Sequence, residues 1–500
     1  MVAGARRAHP NQRGIAVRVL RWSGASVNYQ DADFTHTIDG RAQRGQGAFD
    51  VINPATERVL ARCPDSSRAD IDAAVRAARQ AFAGWSGLSL PERRQYLLEF
   101  AAAIEKNAAE LGELLTHEQG KPLGNARREI ESSARHVRTI AALEIKTEVL
   151  QDNGSGYTEL RYRPLGVCVG ITPWNVPIGI GSAKIAQALH AGNTMVLKPS
   201  PFTPLTTLKL GELSRATLPP GVFNVVAGGN DVGAWLTAHP DVDKISFTGS
   251  LPTGRKVLGA SAAGSLKRVT LELGGNDAAI VLDDVDVESV APRLFAAAFA
   301  NCGQICMAIK RLYVHDSIYE RLCAALTKLA KAAQVGDGRH PQAQIGPVQN
   351  KLQYERVLGL IADTRSRPGV RVLAGGAACE GEGYFIAPTI VADIAEGTPL
   401  VDEEPFGPVL PVLRFTDVQD ALRRANATRF GLSGSIWSAD VARATRLATQ
   451  LEVGTAWVNR HIGADGAVPF GGAKDSGIGR EHGLLGLYSY LEPQVLQVAR

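Results

Sequence analysis

Cysteine is scarce in this sequence. The 500 residues include six cysteines, with no C-x-x-C pair and no regular framework of spacings. This scarcity argues against a scaffold of disulfide bonds and is typical of a protein from a reducing interior, so a cytoplasmic location is predicted.

Long apolar runs and a strong excess of one charge are also lacking. No run of about 18 uncharged apolar residues occurs, so no transmembrane helix is expected. The formal net charge of +4 is small for 500 residues, and lysine and arginine form no dense stripe. The composition therefore predicts neither a membrane nor a nucleic acid as a partner.

The N-terminal segment has five arginines and no acidic residue among its first 30 positions. This composition is similar to that of a transit peptide, yet the segment lacks an apolar core and a plain cleavage site. Residues 1–34 are therefore predicted to form a disordered or non-core extension, with targeting as the alternative.

Helical and α/β patterns follow one another along the chain. The segment DIDAAVRAARQAFAGW, residues 70–85, has apolar side chains at helical spacing. From Leu160 onward, short β-branched runs alternate with alanine-rich helical segments, and this pattern restarts after Leu273. Strands separated by single helices predict βαβ units, and 500 residues are too many for one core. The predicted fold class is α/β with two parallel-sheet domains.

A nucleotide-binding signature of the G-x-G-x-x-G type is missing. FTGSLPTGRK has two glycines at the spacing of a phosphate-binding loop, but Arg255 and Lys256 occupy the positions that need lysine and a hydroxyl. Backbone N–H groups of the Gly249–Ser250 turn could still bind a phosphate, while a plain helix cap at Ser250 is the alternative. Lys198, which ends a strand in LKPS, is a second candidate for contacting ribose or phosphate.

Two cysteines lie close together in NCGQICMAIKR. Cys302 and Cys306 have no histidine near them in sequence to complete a metal site, and a disulfide within one turn of helix would have poor geometry. The remaining alternatives are two packed thiols or one nucleophile. A nucleophilic thiol needs a base and donors for an oxyanion, and Glu272 in LELGGND and Asn175 in TPWNVP are candidates.

Together these motifs carry a family resemblance. TPWNVP, LKPS, FTGS, LELGGN, GQIC, EEPFGPV, WVN and PFGGAKDSGIGREHG occur in the order and spacing of the aldehyde dehydrogenase superfamily, over roughly residues 38 to 492. The resemblance implies a Rossmann-like cofactor domain, a catalytic domain and a β-hairpin arm for assembly into a homodimer or homotetramer. The boundaries predicted on this basis are 35–144 and 163–273 for the NAD(P)-binding domain, 274–470 for the catalytic domain, and 145–162 and 485–500 for the oligomerisation arm.

The resemblance implies that Cys306, which closes the GQxC motif, is the nucleophile and that Cys302 is a packing residue. Attack of the Cys306 thiolate on a small-molecule aldehyde would give a thiohemiacetal, whose oxyanion is held by the Asn175 amide and the Cys306 backbone N–H. Hydride transfer to the nicotinamide would leave a thioester. Glu272 would then activate the water that hydrolyses it to the carboxylic acid.

The same resemblance implies a site for NAD or NADP and no metal. Lys184 and Glu481 match family positions that tune the site and relay protons. NAD-preferring members commonly have a glutamate at the position of Pro201, and loss of that carboxylate removes a repulsion against a 2′-phosphate. Use of NADP as well as NAD is therefore predicted. The implied cofactor residues are Ile171, Thr172, Pro173, Trp174, Lys198, Ser200, Pro201, Gly228, Gly229, Phe247, Gly249, Ser250, Leu273, Glu404 and Phe406.

A substrate tunnel is implied beside Cys306. Its implied residues are Val176, Ile305, Arg460, His461 and Phe470. Val176 stands where many members have phenylalanine, so a roomy tunnel and a bulky or aromatic aldehyde are predicted. Arg460 would meet a carboxylate of the substrate or be solvated.

Two other functions are compatible with the same family. Members that transfer the acyl group to coenzyme A typically lack the glutamate found here as Glu272, so its presence favours hydrolysis. A catalytically silent structural protein is the second alternative. Retention of Cys306, Glu272 and Asn175 argues against it.

Overall fold

The computed structural model of the protein describes residues 19–24, 27–263, 265–463 and 466–500. Within these residues, no helix is both long and apolar enough to cross a membrane. The strands are β1 His36–Ile38, β2 Arg41–Gln43, β3 Gly47–Asn53, β4 Arg58–Asp65, β5 Glu148–Asn153, β6 Gly156–Pro164, β7 Val167–Ile171, β8 Thr194–Lys198, β9 Phe223–Val225, β10 Lys244–Thr248, β11 Arg268–Glu272, β12 Ala278–Val281, β13 Arg311–His315, β14 Arg371–Ala374, β15 Thr389–Ala392, β16 Val409–Phe415, β17 Phe430–Gly431, β18 Ser433–Trp437, β19 Thr455–Val458, β20 Ala473–Lys474, β21 Gly477–Ile478 and β22 Leu491–Ala499. The helices are α1 Arg68–Ser86, α2 Leu90–Lys106, α3 Ala108–Gln119, α4 Leu123–Ala141, α5 Pro177–His190, α6 Leu205–Ser214, α7 Asn230–Ala238, α8 Leu251–Ser261, α9 Val287–Phe299, α10 Tyr319–Ala332, α11 Lys351–Arg365, α12 Pro399–Asp402, α13 Val418–Asn426, α14 Val441–Ala448 and α15 Gly483–Tyr488.

Helices α1 and α2 begin where the sequence supplies capping residues. Ser67 and Ser89 each accept a hydrogen bond from the third residue of the following helix, and that residue's carboxylate accepts the backbone N–H of the cap. Each capping box satisfies N–H groups that the first turn would otherwise leave unpaired. The helix predicted over residues 70–85 is observed as α1, whose apolar face is buried.

The first sheet has the strand order β2-β1-β9-β8-β7-β10-β11-β21. Its five central strands, from β9 to β11, run parallel. The order reverses between β7 and β10, because β8 and β9 add on one side of β7 while β10 and β11 add on the other. Such a reversal separates the loops at the carboxyl ends of the two strands and leaves a crevice for a ligand.

The second sheet has the strand order β14-β15-β16-β13-β12-β18-β19. All of its pairs are parallel except β14 with β15. The interior strand β12 is buried along its whole length, as expected for a parallel strand covered on both faces. The two sheets together confirm the predicted α/β class with two parallel-sheet domains.

A smaller antiparallel sheet with the order β22-β6-β5 lies outside both domains. The last strand, β22, pairs with β6 along its whole length, from Leu491 opposite Pro164 to Ala499 opposite Gly156. The outer strand β5 has all six residues exposed. The hairpin and the C-terminal strand that the resemblance implies as an arm therefore form one sheet with a free edge.

Two segments depart from the predicted domain boundaries. Strand β21 follows the predicted end of the catalytic domain but pairs with β11 of the first sheet. Of the predicted N-terminal extension, residues 1–18 and 25–26 lie outside the described residues. In its described part, the backbone of Leu20 bonds to Val335 and Asp337, and Val19 and Phe34 are buried. Packing thus begins before residue 34, because these apolar side chains gain free energy by leaving water.

Candidate active site

A cleft of about 460 Å³ lies between the first sheet and the second domain. Loops at the carboxyl ends of β7, β10 and β11 form one wall, and the loops around Cys306 and Glu404 form the other. This is the crevice expected where the strand order reverses. The residues lining it are Pro173, Trp174, Asn175, Ile180, Thr248, Gly249, Ser250, Leu251, Pro252, Leu273, Gly274, Cys306, Gln353, Arg356, Glu403, Glu404, Phe406, Arg429 and Phe430.

The loop that carries Cys306 is shaped by an unusual backbone turn. Asn301, Cys302 and Gly303 have φ values of 49°, 61° and 71°, three successive residues in the left-handed region that side chains disfavour. Glycine is required at the third position, since a Cβ on Gly303 would collide with the Gly407 carbonyl. The turn reverses the chain after α9 and brings Cys306 to the cleft.

The structure separates the two neighbouring cysteines. Cys302 is 2% exposed and packs in the core of the second domain, whereas Cys306 is half-buried and lines the cleft. Of the six cysteines, all of which lie in the described residues, Cys306 alone is not buried. Burial raises the pKa of the Cys306 thiol to about 12, with Lys310 opposing this rise and nearby carboxylates adding to it. Burial therefore favours the thiol over the thiolate at this position.

Asn175 lies directly against the Cys306 loop. Its side-chain Nδ2 donates to the carbonyl of Gln304, 2.9 Å away, and its own carbonyl accepts from Asn301 Nδ2 at 3.0 Å. The amide that the resemblance implies as an oxyanion donor is thus placed two residues from the nucleophile. An amide nitrogen has two hydrogens, and one of them is engaged by Gln304.

A buried ion pair holds the Asn175 turn. Lys121 Nζ donates to the Asn175 carbonyl at 2.9 Å and pairs with Glu129. Glu129 in turn accepts the backbone N–H groups of Ile178 and Gly179, at 3.0 and 3.1 Å, in the first turn of α5. Sequence reasoning missed this pair, because a glutamate inside a polar helix is indistinguishable from a surface charge.

Glu272 is a buried carboxylate without a partner. It ends β11, is 4% exposed, and neither carboxylate oxygen has a hydrogen-bond partner among the described residues. Burial raises the pKa of Glu272 well above its usual value, Glu481 adds to the rise, and Lys184 opposes it. An unpaired carboxyl in such a site holds a proton more tightly than one in water.

Lys184 and Glu481 form a second buried ion pair. Lys184 Nζ donates to Ser246 Oγ at 2.8 Å and to Glu481, and Ser246 Oγ donates to Glu481 Oε1 at 2.6 Å. Burial alone would raise the pKa of Glu481, but Lys184, His482 and the hydrogen bond from Ser246 together outweigh burial and hold the pKa below its usual value. The structure therefore brings the two residues together and within electrostatic reach of Glu272.

The two glycines after Glu272 allow a close approach of the opposite wall. A Cβ on Gly274 would collide with the Glu404 carboxylate, and one on Gly275 would lie 2.9 Å from the Cys306 carbonyl. Larger residues at these positions would push the catalytic loop away from β11. The LELGG motif therefore has a steric reason for its glycines.

The implied cofactor residues fall into two groups. One group lines the cleft beside Cys306 and consists of Pro173, Trp174, Gly249, Ser250, Leu273, Glu404 and Phe406. The rings of Trp174 and Phe406 meet edge to face with centroids 5.2 Å apart. Directly beneath, Phe247 of β10 pairs with Ile171 of β7 in the sheet register, and Thr172 follows at the end of β7.

The second group lies at the ends of β8 and β9 and consists of Lys198, Ser200, Pro201, Gly228 and Gly229. These residues do not line the cleft around Cys306. Lys198 is buried and its Nζ donates to the Pro199 carbonyl at 3.0 Å; burial lowers its pKa to about 8. A Cβ on Gly229 would meet nothing within 4 Å, so the space above it is open. Both groups occupy the edge where doubly wound sheets bind nucleotides, and this donor set fits a dinucleotide.

Several cleft residues were not found from the sequence. Arg356 Nη1 donates to the Glu404 carbonyl at 2.7 Å, and Arg356 Nη2 donates to Glu403 Oε2 at 3.1 Å. Gln353 Nε2 donates to the carbonyl of Phe406 at 3.0 Å. In the sequence, Gln353 and Arg356 are two of the polar residues of α11, and polar residues on a helix by themselves indicate only a surface in contact with solvent.

None of the five implied substrate residues is among those lining the cleft. Val176, Ile305 and Phe470 are half-buried and Arg460 is exposed. His461 points elsewhere: its Nδ1 bonds with Ser435 Oγ at 2.7 Å and its Nε2 with the Met307 carbonyl at 3.0 Å. Both ring nitrogens of His461 are thus bonded to protein, and its implied role toward the substrate stays a prediction.

Comparisons with known proteins agree with this geometry. A family profile described as "Aldehyde dehydrogenase family" matches residues 41–496. The chain is 40% identical to "Aldehyde dehydrogenase, mitochondrial" of Leishmania tarentolae, over 90% of this chain and 91% of that protein. It is 41% identical to a probable aldehyde dehydrogenase of Pseudomonas sp, over 91% and 93%.

Solved structures show the same similarity. The NAD+ complex of an aldehyde dehydrogenase from Bacillus cereus has a TM-score of 0.92 and 36% identity, over 94% of this chain and 97% of that one. An NADP dependent enzyme of E. coli has a TM-score of 0.91 and 37% identity, over 93% and 98%. In each comparison more than nine-tenths of both chains is covered, so the similarity extends over the whole fold.

Proposed function

This chain belongs to the aldehyde dehydrogenase family, and on that premise we propose that Cys306 is the nucleophile with which it oxidises an aldehyde. The activity is NAD(P)-dependent oxidation of an aldehyde to a carboxylic acid. The observation that carries the assignment is exposure: Cys306 alone among the six cysteines opens into the cleft that Asn175 and the cofactor residues line.

The chemistry follows from the groups around the sulfur. The Cys306 sulfur, once deprotonated, bonds to the aldehyde carbon, and the carbonyl oxygen becomes the oxyanion of a thiohemiacetal. The free N–H of the Asn175 amide and the Cys306 backbone N–H stabilise that oxygen, because fixed donors need no reorganisation when the charge develops. When bound, the nicotinamide supplies the acceptor for the hydride that leaves the carbon.

Glu272 serves the second half of the reaction. Its carboxylate takes a proton from water, the resulting hydroxide attacks the thioester carbon, and the carbon–sulfur bond breaks. The proton taken up by Glu272 passes to the departing sulfur, so the products are a carboxylic acid and the restored Cys306 thiol. Burial raises the pKa of Glu272 above the usual value for glutamate, and a more basic carboxylate takes a proton from water more readily.

The cofactor would be held by both groups of implied residues. The Gly249–Ser250 turn at the start of α8 would meet the pyrophosphate, Lys198 and Ser200 the adenosine ribose, and Glu404 the nicotinamide ribose. Pro201 supplies no carboxylate to repel a 2′-phosphate, so NADP is accepted beside NAD. The ratio of kcat/KM for the two cofactors measures this, and a hundredfold preference for NAD would contradict it.

Two broader features belong to the same proposal. The arm formed by β5, β6 and β22 joins the chains of a homodimer or homotetramer, and the enzyme works in the cytoplasm as a cysteine enzyme with reduced thiols.

Its substrate is a bulky or aromatic aldehyde. A panel of aldehydes in which short aliphatic compounds react faster than benzaldehydes would refute the substrate class.

The decisive experiment compares the two neighbouring cysteines. Cys306→Ser is expected to abolish NAD(P)H formation, because a serine hydroxyl is a far weaker nucleophile than a thiolate. Cys302→Ser is the matched control and is expected to keep most of the turnover, with some loss of stability from its buried position. The reverse result would overturn the assignment, and turnover that requires coenzyme A would reject the hydrolytic route.

A further inference from the structure

A buried lysine lies immediately behind the catalytic loop. Lys310 is 2% exposed, and its side chain folds back along the chain toward Cys306. Its Nζ donates to the Ile305 carbonyl at 2.9 Å and to the Cys306 carbonyl, and it lies 3.5 Å from the Ala308 carbonyl. One ammonium group thus binds three carbonyls of the segment that carries the nucleophile.

The same ammonium group reaches across the cleft wall. Lys310 Nζ is 3.5 Å from Glu404 Oε1, and this carboxylate oxygen also accepts the backbone N–H of Gly275 at 3.2 Å. Because Gly274 has no side chain, the Glu404 carboxylate lies close against the segment that follows β11. Lys310 is therefore the link between the nucleophile's loop and the carboxylate proposed to bind the nicotinamide ribose.

Lys310 is the one cation among the charged groups that most affect the pKa of the Cys306 thiol. The charged groups that most affect the Cys306 thiol are Lys310 from its own loop, Glu404 from the loop after α12, Asp277 from the start of β12, and Glu272 from the end of β11. Three of these four carry carboxyl groups, which disfavour a thiolate. Lys310 alone favours it, and in a buried site a single cation has a large effect.

We propose that Lys310 is a positioning residue for the reaction: its ammonium group ties the Cys306 loop to Glu404 and supplies the positive charge beside the sulfur. The inference rests on the proposed nucleophile and extends it. Loss of the ammonium would free Glu404 to move and would leave the sulfur facing carboxyl groups only. Both thiolate formation and cofactor binding would then weaken together.

The test uses the pH dependence of Cys306 alkylation in the full-length enzyme. The reagent is iodoacetamide, and mass spectrometry of the labelled peptide confirms that Cys306 is the site. In Lys310→Met, which keeps the length of the side chain without its charge, the alkylation rate at a fixed pH on the rising limb is expected to fall about tenfold, which is equivalent to a midpoint about one pH unit higher. Lys310→Arg, which keeps the charge, should shift the midpoint much less.

The second readout is the Michaelis constant for NAD. It should rise several-fold in Lys310→Met, because Glu404 loses the partner that holds it. The matched control is Lys244→Met, which removes another buried ammonium that donates to Thr270 Oγ1 away from the cleft. That variant should leave both the alkylation midpoint and the KM for NAD unchanged.

The outcomes are separable. A folded Lys310→Met with an unchanged midpoint and an unchanged KM would overturn the proposal and leave Lys310 a purely structural residue. If Lys310→Met does not fold, Lys310→Gln, which removes the charge but keeps a hydrogen-bond donor, is the second variant. Its alkylation midpoint should rise, and an unchanged midpoint would overturn the proposal. Alkylation needs no aldehyde, so it tests the role of Lys310 independently of turnover. A failure of the proposed enzymatic function would be seen in a different measurement, as retained turnover in Cys306→Ser.

Discussion

Glu272 and Glu481 show how environment gives the same side chain two roles. Both are buried carboxyl groups near Lys184, but only Glu481 bonds to it. The pKa of Glu481 is therefore held low, while burial pushes the pKa of Glu272 up. Two titratable groups whose pKa values diverge are a common arrangement at catalytic sites, and the unpaired one is the better proton acceptor.

The residue-scale prediction concerns Glu272. Glu272→Gln should lower steady-state turnover by about 10²- to 10⁴-fold while leaving a burst of NADH, because the thioester forms but is not hydrolysed. In the wild type the base works only when deprotonated. Its raised pKa therefore predicts that the deacylation rate increases with pH through a midpoint above the ordinary value for glutamate.

Stopped-flow measurement of the burst and of acid release across pH checks this prediction. Glu288→Gln, which alters an exposed carboxyl in the first turn of α9, is the control and should behave like the wild type. If Glu272→Gln turns over at the normal rate, or if its deacylation rate still increases with pH as in the wild type, Glu272 is not the general base.

At the scale of elements, the Lys121–Glu129 pair fastens three parts of the first domain together. Glu129 on α4 binds the first turn of α5, and Lys121, just before α4, binds the turn that carries Asn175. Both side chains are buried. Removing one charge from such a pair leaves the other uncompensated in a medium of low polarity.

Lys121→Met is therefore expected to lower the free energy of unfolding by about 3–5 kcal/mol. It should also reduce kcat more than it raises KM for the cofactor, since the oxyanion donor loses its support. Chemical denaturation and steady-state kinetics provide the two measurements. The control is Arg68→Met, which removes an exposed ion pair with Asp72 and should lower the free energy of unfolding by less than about 1 kcal/mol. Equal losses of stability in the two variants would contradict the support that the Lys121–Glu129 pair is proposed to give the Asn175 turn.

At the scale of the whole molecule, the cleft is built by both domains, and the antiparallel arm extends from the first. Arg268, which begins β11, pairs through two nitrogens with Glu492 of β22. The strand that ends at Glu272 is thus connected to the arm at its other end. If the arm joins chains as proposed, this contact would connect that interface to the strand that ends at Glu272.

The molecule-scale prediction concerns the free edge of the arm. Val149 and Leu150 on β5 are 55% and 53% exposed, an unusual position for two adjacent apolar residues on an edge strand. Val149→Asp combined with Leu150→Asp should convert the proposed dimer or tetramer into smaller species. Light scattering coupled to gel filtration measures the mass.

Val441→Asp is the control, because Val441 is 58% exposed and lies on α14 of the second domain; it should leave the mass unchanged. A wild-type enzyme that is monomeric at micromolar concentration would reject the proposed role of the arm. Retained assembly in the double variant would place the interface elsewhere.

Much of this protein was determined by local patterns in its sequence. The alternation of β-branched and alanine-rich segments predicted two parallel-sheet domains, and helical periodicity predicted α1. Motif order identified the family and distinguished Cys306 from Cys302. Such features depend on spacing along the chain, and spacing is what a sequence contains.

The tertiary structure alone decided which groups meet across the cleft. Lys310 is adjacent to its motif in sequence, yet only folding brings Glu404 to it, and only burial makes its charge effective. The partners of His461 are a second example, since its ring nitrogens bond to Ser435 and Met307, which are distant in sequence. Desolvation and contact between distant segments exist only once the chain has folded, so the pKa values and the partners of these groups follow from packing rather than from pattern.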